Sequence, residues 1–545
     1  MSRLVPGPTM PMTFLDRLLR RDRWHLDPAD APWAGRPSLH DFLVSHTRPD
    51  GLGLAPEGQE LPDEKVEPGA IRWAAGALDG VMGHHSAGGS AEERSRGVVE
   101  ALRAVLQRPD AERLAALYTL LRDGGTLAVV DAVLESLRAE ARAGASWLDV
   151  ERLHALALWL ATRAADREPV KFGLALLGLF TGFDDTEVLR TLGQHDEFTL
   201  YAAVALSNTR EDPEAELFAL AQRVHGWGRV HLVERLAADA KALELRRWLV
   251  REGFRNAVMY EYLAHACAVG GRLREQLEVA EPDDALLLGA SELWVALLAG
   301  GPAPDVDAYE DAAAVAGLLL GHLEQRANRL EHYEAVAAQR DWLAAEGDWD
   351  GRASRGWTPE VRARLRARCE ALLERPLWRE LAEQGLASED SITFHRAAHA
   401  GEKLGLDVWD AAFRRYAAGE LGHAWRASRT EDPGRARRFV AATQQVLDLA
   451  RLCNGPTTNV GFGPDFPKHQ AHELALDVLS HLPGEGWALV EAGLRSPSVR
   501  VRRSALKVLE AWPEWPEEAM GALRAAHEQE PDEELKAEAA GLLTR

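Results

Sequence analysis

The stretch of this sequence best suited to chemistry is GHHSAGGS at positions 83–90, where His84 and His85 stand among glycines and small residues. Backbone N–H groups of a glycine-rich loop at a helix N-terminus attract anions, and adjacent imidazoles donate hydrogen bonds or bind a metal. A flexible turn leading into a helix cap explains the same residues and is the simpler interpretation. Ser90 and Glu93 have the spacing of a capping box, which predicts that a helix begins there.

A second group with suggestive spacing is His395, His399 and Glu402. Separations of four and three residues put these side chains on one face of a helix, where they could share a metal ion. The stretch HRAAHAGE lacks the internal glutamate of a zinc-protease helix, however. Hydrogen bonding to a neighbouring helix, or simple exposure, explains two histidines equally well, so these residues are metal-site candidates only.

The familiar catalytic and cofactor motifs are missing from the sequence, which contains no GxGxxG, Walker A or GxSxG pattern. Its cysteines, Cys267, Cys369 and Cys453, lie far apart and form no CxxC pair. That spacing argues against a structural zinc site and for a reducing compartment. We therefore expect no catalytic residue and no cofactor.

Four aromatic residues near the C-terminus are candidates for contact with a partner. Trp512 and Trp515 flank prolines in AWPEWPEE, and Phe462 and Phe466 lie in the aperiodic stretch NGPTTNVGFGPDFPK. Long aperiodic loops are often functional, and exposed tryptophans often anchor interfaces. Packing between helical hairpins is the alternative for the two tryptophans.

The elements that must position these residues are helices, and the last eighty or so residues repeat. The segments 466–479, 496–509 and 530–543 align without gaps and begin 30 and 34 residues apart. Each has proline at its second position, alanine at its tenth and leucine at its last. A period of this length is typical of stacked helical hairpins, each of which buries its apolar face against its neighbours.

Helical periodicity extends over most of the chain. From Ser90 onward apolar residues recur three and four apart, and no alternating strand pattern is found. We predict an all-α solenoid of antiparallel hairpins. Its expected parts are an irregular region with the Gly/His loop at 1–89, hairpin arrays at 90–350 and 351–453, and regular repeats with a terminal cap at 454–545.

The middle segment carries the pattern P-x-V-R-x-x-x-x-A-L from Pro497 to Leu506. It resembles the opening of the second helix of a HEAT repeat, an armadillo-like family. It departs from the family pattern at Ser496, where an aspartate is common. The resemblance implies a right-handed α-solenoid with a concave, protein-binding surface.

A second similarity covers EPVKFGLALLGLF from Glu168 and QHDEFTLYAAVAL from Gln194, which resemble bacterial repeat proteins labelled limonene hydroxylase. HEAT-like hydroxylases with two irons resemble one another in placing His-Glu pairs at equivalent points of successive repeats. The pairs beginning at His472 and His527 are not equivalent, because the first lies in a second helix and the other in a first helix. No di-iron site is predicted.

The charge balance excludes some partners. With 63 Lys and Arg against 85 Asp and Glu, the formal charge is −22, which repels nucleic acid and anionic membranes. The longest apolar runs, such as Phe172 to Phe180, reach about half a membrane span, and no signal peptide is recognised. We expect a cytoplasmic protein whose partner is a protein of basic or mixed charge.

Taken together, the motifs and the charge favour a non-catalytic HEAT-like scaffold that binds a protein on its concave surface. The alternative is a metal-dependent enzyme or small-ligand-binding protein, in the manner of the hydroxylase-labelled family. Its site would lie near His84 and His85 or near His395 and His399.

Overall fold

The fold is described by a computed structural model that covers residues 24–33, 35–64, 73–82, 90–461 and 463–544. Within these ranges the regular structure is helical throughout. The β-type pairing is limited to two isolated bridges, Thr47 with Leu54 and Asn459 with Ser498. The predicted all-α fold class is confirmed.

Helices up to residue 326 follow one another closely. They are α1 Leu39–His46, α2 Ala77–Met82, α3 Ser90–Gln107, α4 Ala111–Gly124, α5 Val130–Arg142, α6 Val150–Arg163, α7 Arg167–Leu177, α8 Thr186–Gly193, α9 Asp196–Thr209, α10 Glu214–Ala221, α11 Trp227–Ala238, α12 Leu243–Trp248, α13 Glu261–Gly270, α14 Leu273–Leu277, α15 Asp284–Ala299 and α16 Ala312–Arg326.

The series continues to the C-terminus. It comprises α17 Leu330–Ala344, α18 Trp349–Ala353, α19 Pro359–Leu373, α20 Leu377–Gly385, α21 Ser391–Lys403, α22 Trp409–Ala417, α23 Ala424–Ser428, α24 Pro433–Val446, α25 Leu449–Leu452, α26 Phe466–Leu479, α27 Trp487–Leu494, α28 Val499–Ala511, α29 Ala519–Gln529 and α30 Glu533–Leu543. Short 3₁₀ turns occur at Pro28–Asp30, Pro56–Gln59 and Leu421–His423, and α12 continues into a π turn at Leu249–Gly253.

Aspartate is the usual residue at the start of these helices. A side-chain oxygen that accepts an N–H of the first turn satisfies one of the backbone donors that a helix leaves unpaired. The residues in this role include Asp110, Asp149, Asp283, Asp390, Asp432 and Asp532. The predicted helix start at Ser90 is confirmed, with Ser90 as the first helical residue of α3.

The contacts within the chain divide it into two compact units. The first contains the described residues of 1–65, 73–327 and 334–373, and the second contains 328–333 and the described residues of 374–545. The finer boundaries predicted at 89, 350 and 453 stay predictions.

In the first unit, alternate helices stack on one another. Helix α9 contacts α11, α11 contacts α13, and α13 contacts α15, while the intervening helices pair with them as hairpins. This is the arrangement in which each hairpin buries its apolar side against the next.

Residues 24–33 and 35–64 also contribute to the core of the first unit. The Trp33 ring packs 4.9 Å from Tyr118 and 4.6 Å from Trp159, centroid to centroid. Arg36 donates to both carboxylate oxygens of Asp166, one at 2.8 Å, and the Tyr118 hydroxyl donates to the same carboxylate at 2.6 Å. The described part of the predicted irregular N-terminal region is therefore fixed to the helices by aromatic packing and charge.

The C-terminal repeats of the second unit are confirmed as stacked hairpins. Second helices α26, α28 and α30 contact in succession, and the first helices α27 and α29 contact each other. Their shared core includes Leu476, Leu489, Val501 and Leu535, all fully buried. The predicted helices begin at the observed residues, Trp487 and Val499.

A helix crosses a membrane only if it is both long and apolar. None in the described ranges combines the length and the apolar character needed to cross a bilayer.

Candidate functional site

Several sequence candidates cannot be placed. His84, His85 and Phe462 lie outside the described residues. The glycine-rich loop hypothesis therefore stays a prediction.

His395, His399 and Glu402 do share α21, but a guanidinium lies between two of them. Arg426, from α23, contacts His395 Nδ1 at 3.2 Å and Glu402 Oε1 at 3.0 Å. Burial lowers the pKa of both histidines, and the neighbouring Arg426 and Lys403 charges act in the same direction. In the described part of the chain no group of three His, Cys, Asp or Glu side chains is arranged to hold a metal ion. The contact between Arg426 and His395 is a hydrogen bond between helices, which the sequence analysis gave as an alternative to a metal site.

The two tryptophan candidates make hydrogen bonds within the C-terminal repeats. Trp512 is 1% exposed and its indole N–H donates to Leu479 O at 2.7 Å, within the core of the repeats. Trp515 is partly buried and donates to Leu509 O at 2.7 Å. A side chain as buried as Trp512 offers no surface to a partner, so its assignment as a partner contact is corrected to packing between hairpins. Phe466 is the first residue of α26 and is half-buried.

A buried charged cluster in the first unit was not anticipated from the sequence. Lys171, 2% exposed on α7, places Nζ 2.6 Å from Glu197, 2.9 Å from Glu168 and 2.9 Å from Asp79. Burial by itself lowers the pKa of Lys171, but the carboxylates outweigh it and raise the pKa above its ordinary value. A lysine held protonated in this way is a poor base or nucleophile. The cluster ties α2 to α7 and α9, and it serves structure.

The sequence contains a signal for this lysine. Lys171 stands within the apolar run of α7, between Val170 and Phe172, where every neighbour is buried. A buried lysine must be paired, so a carboxylate partner could have been predicted, although not which one.

A pair of adjacent grooves lies on either side of the short helix α14. The arginine groove has a volume of about 670 Å³ and is lined by Leu243, Arg246, Arg247, Arg251, Gly271, Arg272, Glu275, Gln276, Val279, Glu281, Pro282, Asp283 and Leu286. The acidic groove has a volume of about 660 Å³ and is lined by His265, Ala268, Val269, Arg272, Arg274, Glu275, Glu278, Ala308, Tyr309, Glu310 and Asp311. Both are open to solvent, and they share Arg272 and Glu275.

Arg272 forms a ridge between the grooves in a strained conformation. Its φ of 53° is the only positive value at a non-glycine residue in the described ranges. Such a backbone costs roughly 1–3 kcal/mol and is found preferentially at functional sites. The preceding Gly270 and Gly271 pack so closely that a Cβ on Gly270 would collide with the backbone of Ala237. The Gln276 amide fixes the turn by donating to Gly271 O at 2.7 Å.

Exposed apolar side chains cluster at the same place. Leu243 and Val279, in the arginine groove, are 61% and 46% exposed, and Val269, in the acidic groove, is 53% exposed. Apolar side chains gathered around grooves mark interaction sites more often than single scattered ones do. Periodicity alone does not reveal this surface, because the three residues come from α12, α13 and the loop after α14.

The stacked hairpins define an all-α helical repeat protein. No family model and no curated protein matches the sequence. Among solved structures, the crystal structure of an engineered protein aligns with 82% of this chain and 98% of its own, at 17% identity and a TM-score of 0.20. A circular tandem repeat protein with a novel repeat topology and enhanced subunit contact surfaces aligns with 84% of this chain and 95% of its own, at 17% identity and a TM-score of 0.12. The HEAT-like and hydroxylase-labelled resemblances stay predictions.

Proposed function

We propose that the protein is a non-catalytic, HEAT-like scaffold that binds a protein partner, and that the partner docks on the grooves beside α14. The observation that carries the proposal is the coincidence of exposed Leu243, Val269 and Val279 with the strained Arg272 ridge. Open grooves between stacked helices suit an extended polypeptide better than a small ligand, which is normally enclosed on most sides.

The HEAT-like character is supported by the C-terminal repeats. Arg502, at the seventh position of the middle segment, donates through Nε and Nη2 to Glu530 at 2.7 Å each. Glu530 opens the next segment, so the seventh position of one segment is joined to the first position of the next. Arg502 also donates to Ser496 O and Pro497 O at the start of its own segment.

A cytoplasmic location is part of the proposal. All three cysteines are free and buried, as is usual for proteins of a reducing compartment. Neither the location nor the partner class depends on the candidate histidines.

Affinity capture with a paired set of variants tests the proposal. The wild-type chain, a Leu243→Glu/Val279→Glu double variant and an Ile392→Glu control are used as baits with lysate of the source cells. Ile392 is 71% exposed in the second unit, so the control adds a charge at an apolar site that is more exposed than Leu243 or Val279. Circular dichroism verifies that all three baits are folded.

We expect a specific polypeptide to be retained by the wild type and the control and lost from the double variant. Retention by all three baits contradicts the placement of the partner at the grooves. The absence of any specific polypeptide contradicts the scaffold function itself.

A further inference from the structure

The two grooves carry opposite charge. The arginine groove is lined by four arginines and three carboxylates, whereas the acidic groove is lined by two arginines and four carboxylates. The chain as a whole is strongly acidic, so the arginine groove departs from the general character of the protein. Opposite fields on either side of one ridge select the orientation of a charged partner.

The arginines of the first groove have different roles. Arg251 donates to Gln276 Oε1 at 2.6 Å and to Asp283 at 2.8 Å, and Arg246 donates to Ala240 O at 2.9 Å. These two guanidinium groups support the groove wall.

Two further arginines remain for a partner. Arg247 is exposed and makes no side-chain hydrogen bond or ion pair among the described residues. Arg272 has only a 3.3 Å contact with Glu275, and the two side chains are 49% and 64% exposed. Exposed ion pairs of this kind contribute little, so the Arg272 guanidinium is easily transferred to another carboxylate.

In the acidic groove, the arginine is paired and a carboxylate is left for a partner. Its Arg274 is already held by Glu278 at 3.0 Å and by Asp311 at 2.8 Å. Glu310 is exposed and has no ion pair within the described ranges. A basic side chain placed here would meet a net negative field.

Resting on the proposed function, we infer that the docked partner is an extended polypeptide segment of mixed charge. An Asp or Glu next to an apolar residue occupies the arginine groove, where Arg247 and Arg272 bind the carboxylate and Leu243 and Val279 cover the apolar side chain. A Lys or Arg further along the segment lies in the acidic groove near Glu310.

The spacing between the two partner charges follows from the width of α14, the helix that lies between the grooves. A helix with its side chains is about 10 Å across, and an extended chain advances about 3.3 Å per residue. The acidic and basic residues of the partner are therefore separated by about three positions.

A random 12-residue peptide library displayed on phage, selected against the full chain, tests this inference. Enriched peptides are synthesised with a fluorescent label, and their Kd values are measured on four proteins. These are the wild type, Arg247→Glu/Arg272→Glu, Leu243→Glu/Val279→Glu, and an Arg437→Glu control. Arg437 is an exposed arginine of the second unit whose contact is Glu485.

Enriched peptides should contain Asp or Glu beside an apolar residue, with Lys or Arg about three positions away. The arginine double variant should weaken their binding about tenfold or more, because charge-assisted hydrogen bonds are lost and repulsion replaces them. Peptides with the acid changed to lysine should regain affinity on that variant. Affinity for the wild type should fall as salt is raised.

Two failures are distinguishable. Peptides that need Leu243 and Val279 but bind the arginine double variant within twofold of the wild type overturn the charge assignment and leave the docking surface in place. A selection that yields no binder sensitive to Leu243 and Val279 overturns the inference together with the docking surface.

Discussion

Replacement of Lys171 by methionine removes the positive charge that contacts all three carboxylates of the buried cluster. Lys171 Nζ lies 2.6 Å from Glu197 and 2.9 Å from both Glu168 and Asp79. Methionine is nearly as long and apolar, so Lys171→Met keeps most of the packing of α7. The variant leaves three carboxylates close together without their shared counter-ion, although Arg167 still lies 3.8 Å from Glu197.

The expected loss is large. Removing one partner of a buried ion pair costs about 3–5 kcal/mol, because the remaining charge is stranded away from water. We expect the free energy of unfolding of the first unit to fall by about 4 kcal/mol at pH 7.5. Lys241, which is 63% exposed and forms an ion pair with Asp239, provides the matched control. The Lys241→Met variant should lower the free energy of unfolding by less than about 1 kcal/mol.

The loss should shrink on acidification. In the wild type, burial raises the pKa of Glu197 but Lys171 and Arg167 outweigh it, so the pKa is lowered and its stabilisation is lost as pH falls. Burial raises the pKa of Asp79 even beside the lysine. Without the lysine charge the pKa values of both carboxylates rise in the folded state, so the variant is destabilised less as pH falls. Because of both effects, the free energies of unfolding of the wild type and the variant become more similar as the pH falls towards 5.

Urea unfolding followed by circular dichroism at pH 7.5 and pH 5.5 measures the difference. Hydrogen exchange of the α7 and α9 amides assigns it to the first unit, since a chain with two units need not unfold in one step. A loss below about 1 kcal/mol at pH 7.5 refutes the claim that Lys171 neutralises the cluster. A loss of equal size at both pH values refutes the electrostatic reason for it.

Three further changes have defined outcomes. Burial raises the pKa of Asp196 to about 6 although it accepts the Gly228 N–H at 2.7 Å, so its contribution to stability is lost as pH rises from about 4 through 6. Asp196→Asn should stabilise the chain by about 1–2 kcal/mol at pH 7 and not at pH 4, as measured by urea unfolding. Arg502→Met should destabilise the repeats by about 3–5 kcal/mol and Arg502→Met/Glu530→Met by much less; equal losses in a double-mutant cycle would contradict the pairing. Because burial raises the pKa of the three thiols, a thiol reagent at pH 8 should modify none before unfolding and all three after it.

Local pattern was enough to predict the elements. Period-3.6 apolar spacing and the aligned proline, alanine and leucine positions predicted helical hairpins, including the second helix that begins at Val499. The same local reasoning placed His395 and His399 on one helix. These features depend on residues within a few turns of each other, and a linear sequence contains that information directly.

Tertiary structure decided which side chains are paired and which are exposed. Glu197 is 26 residues from Lys171, and Arg426 is 31 residues from His395. Trp512 lies in the core of the repeats, whereas Leu243 is exposed in the groove that Arg272 also lines. The physical reason is that a helix presents several faces, and only its stacked neighbours determine which face meets a partner charge, an apolar core or water.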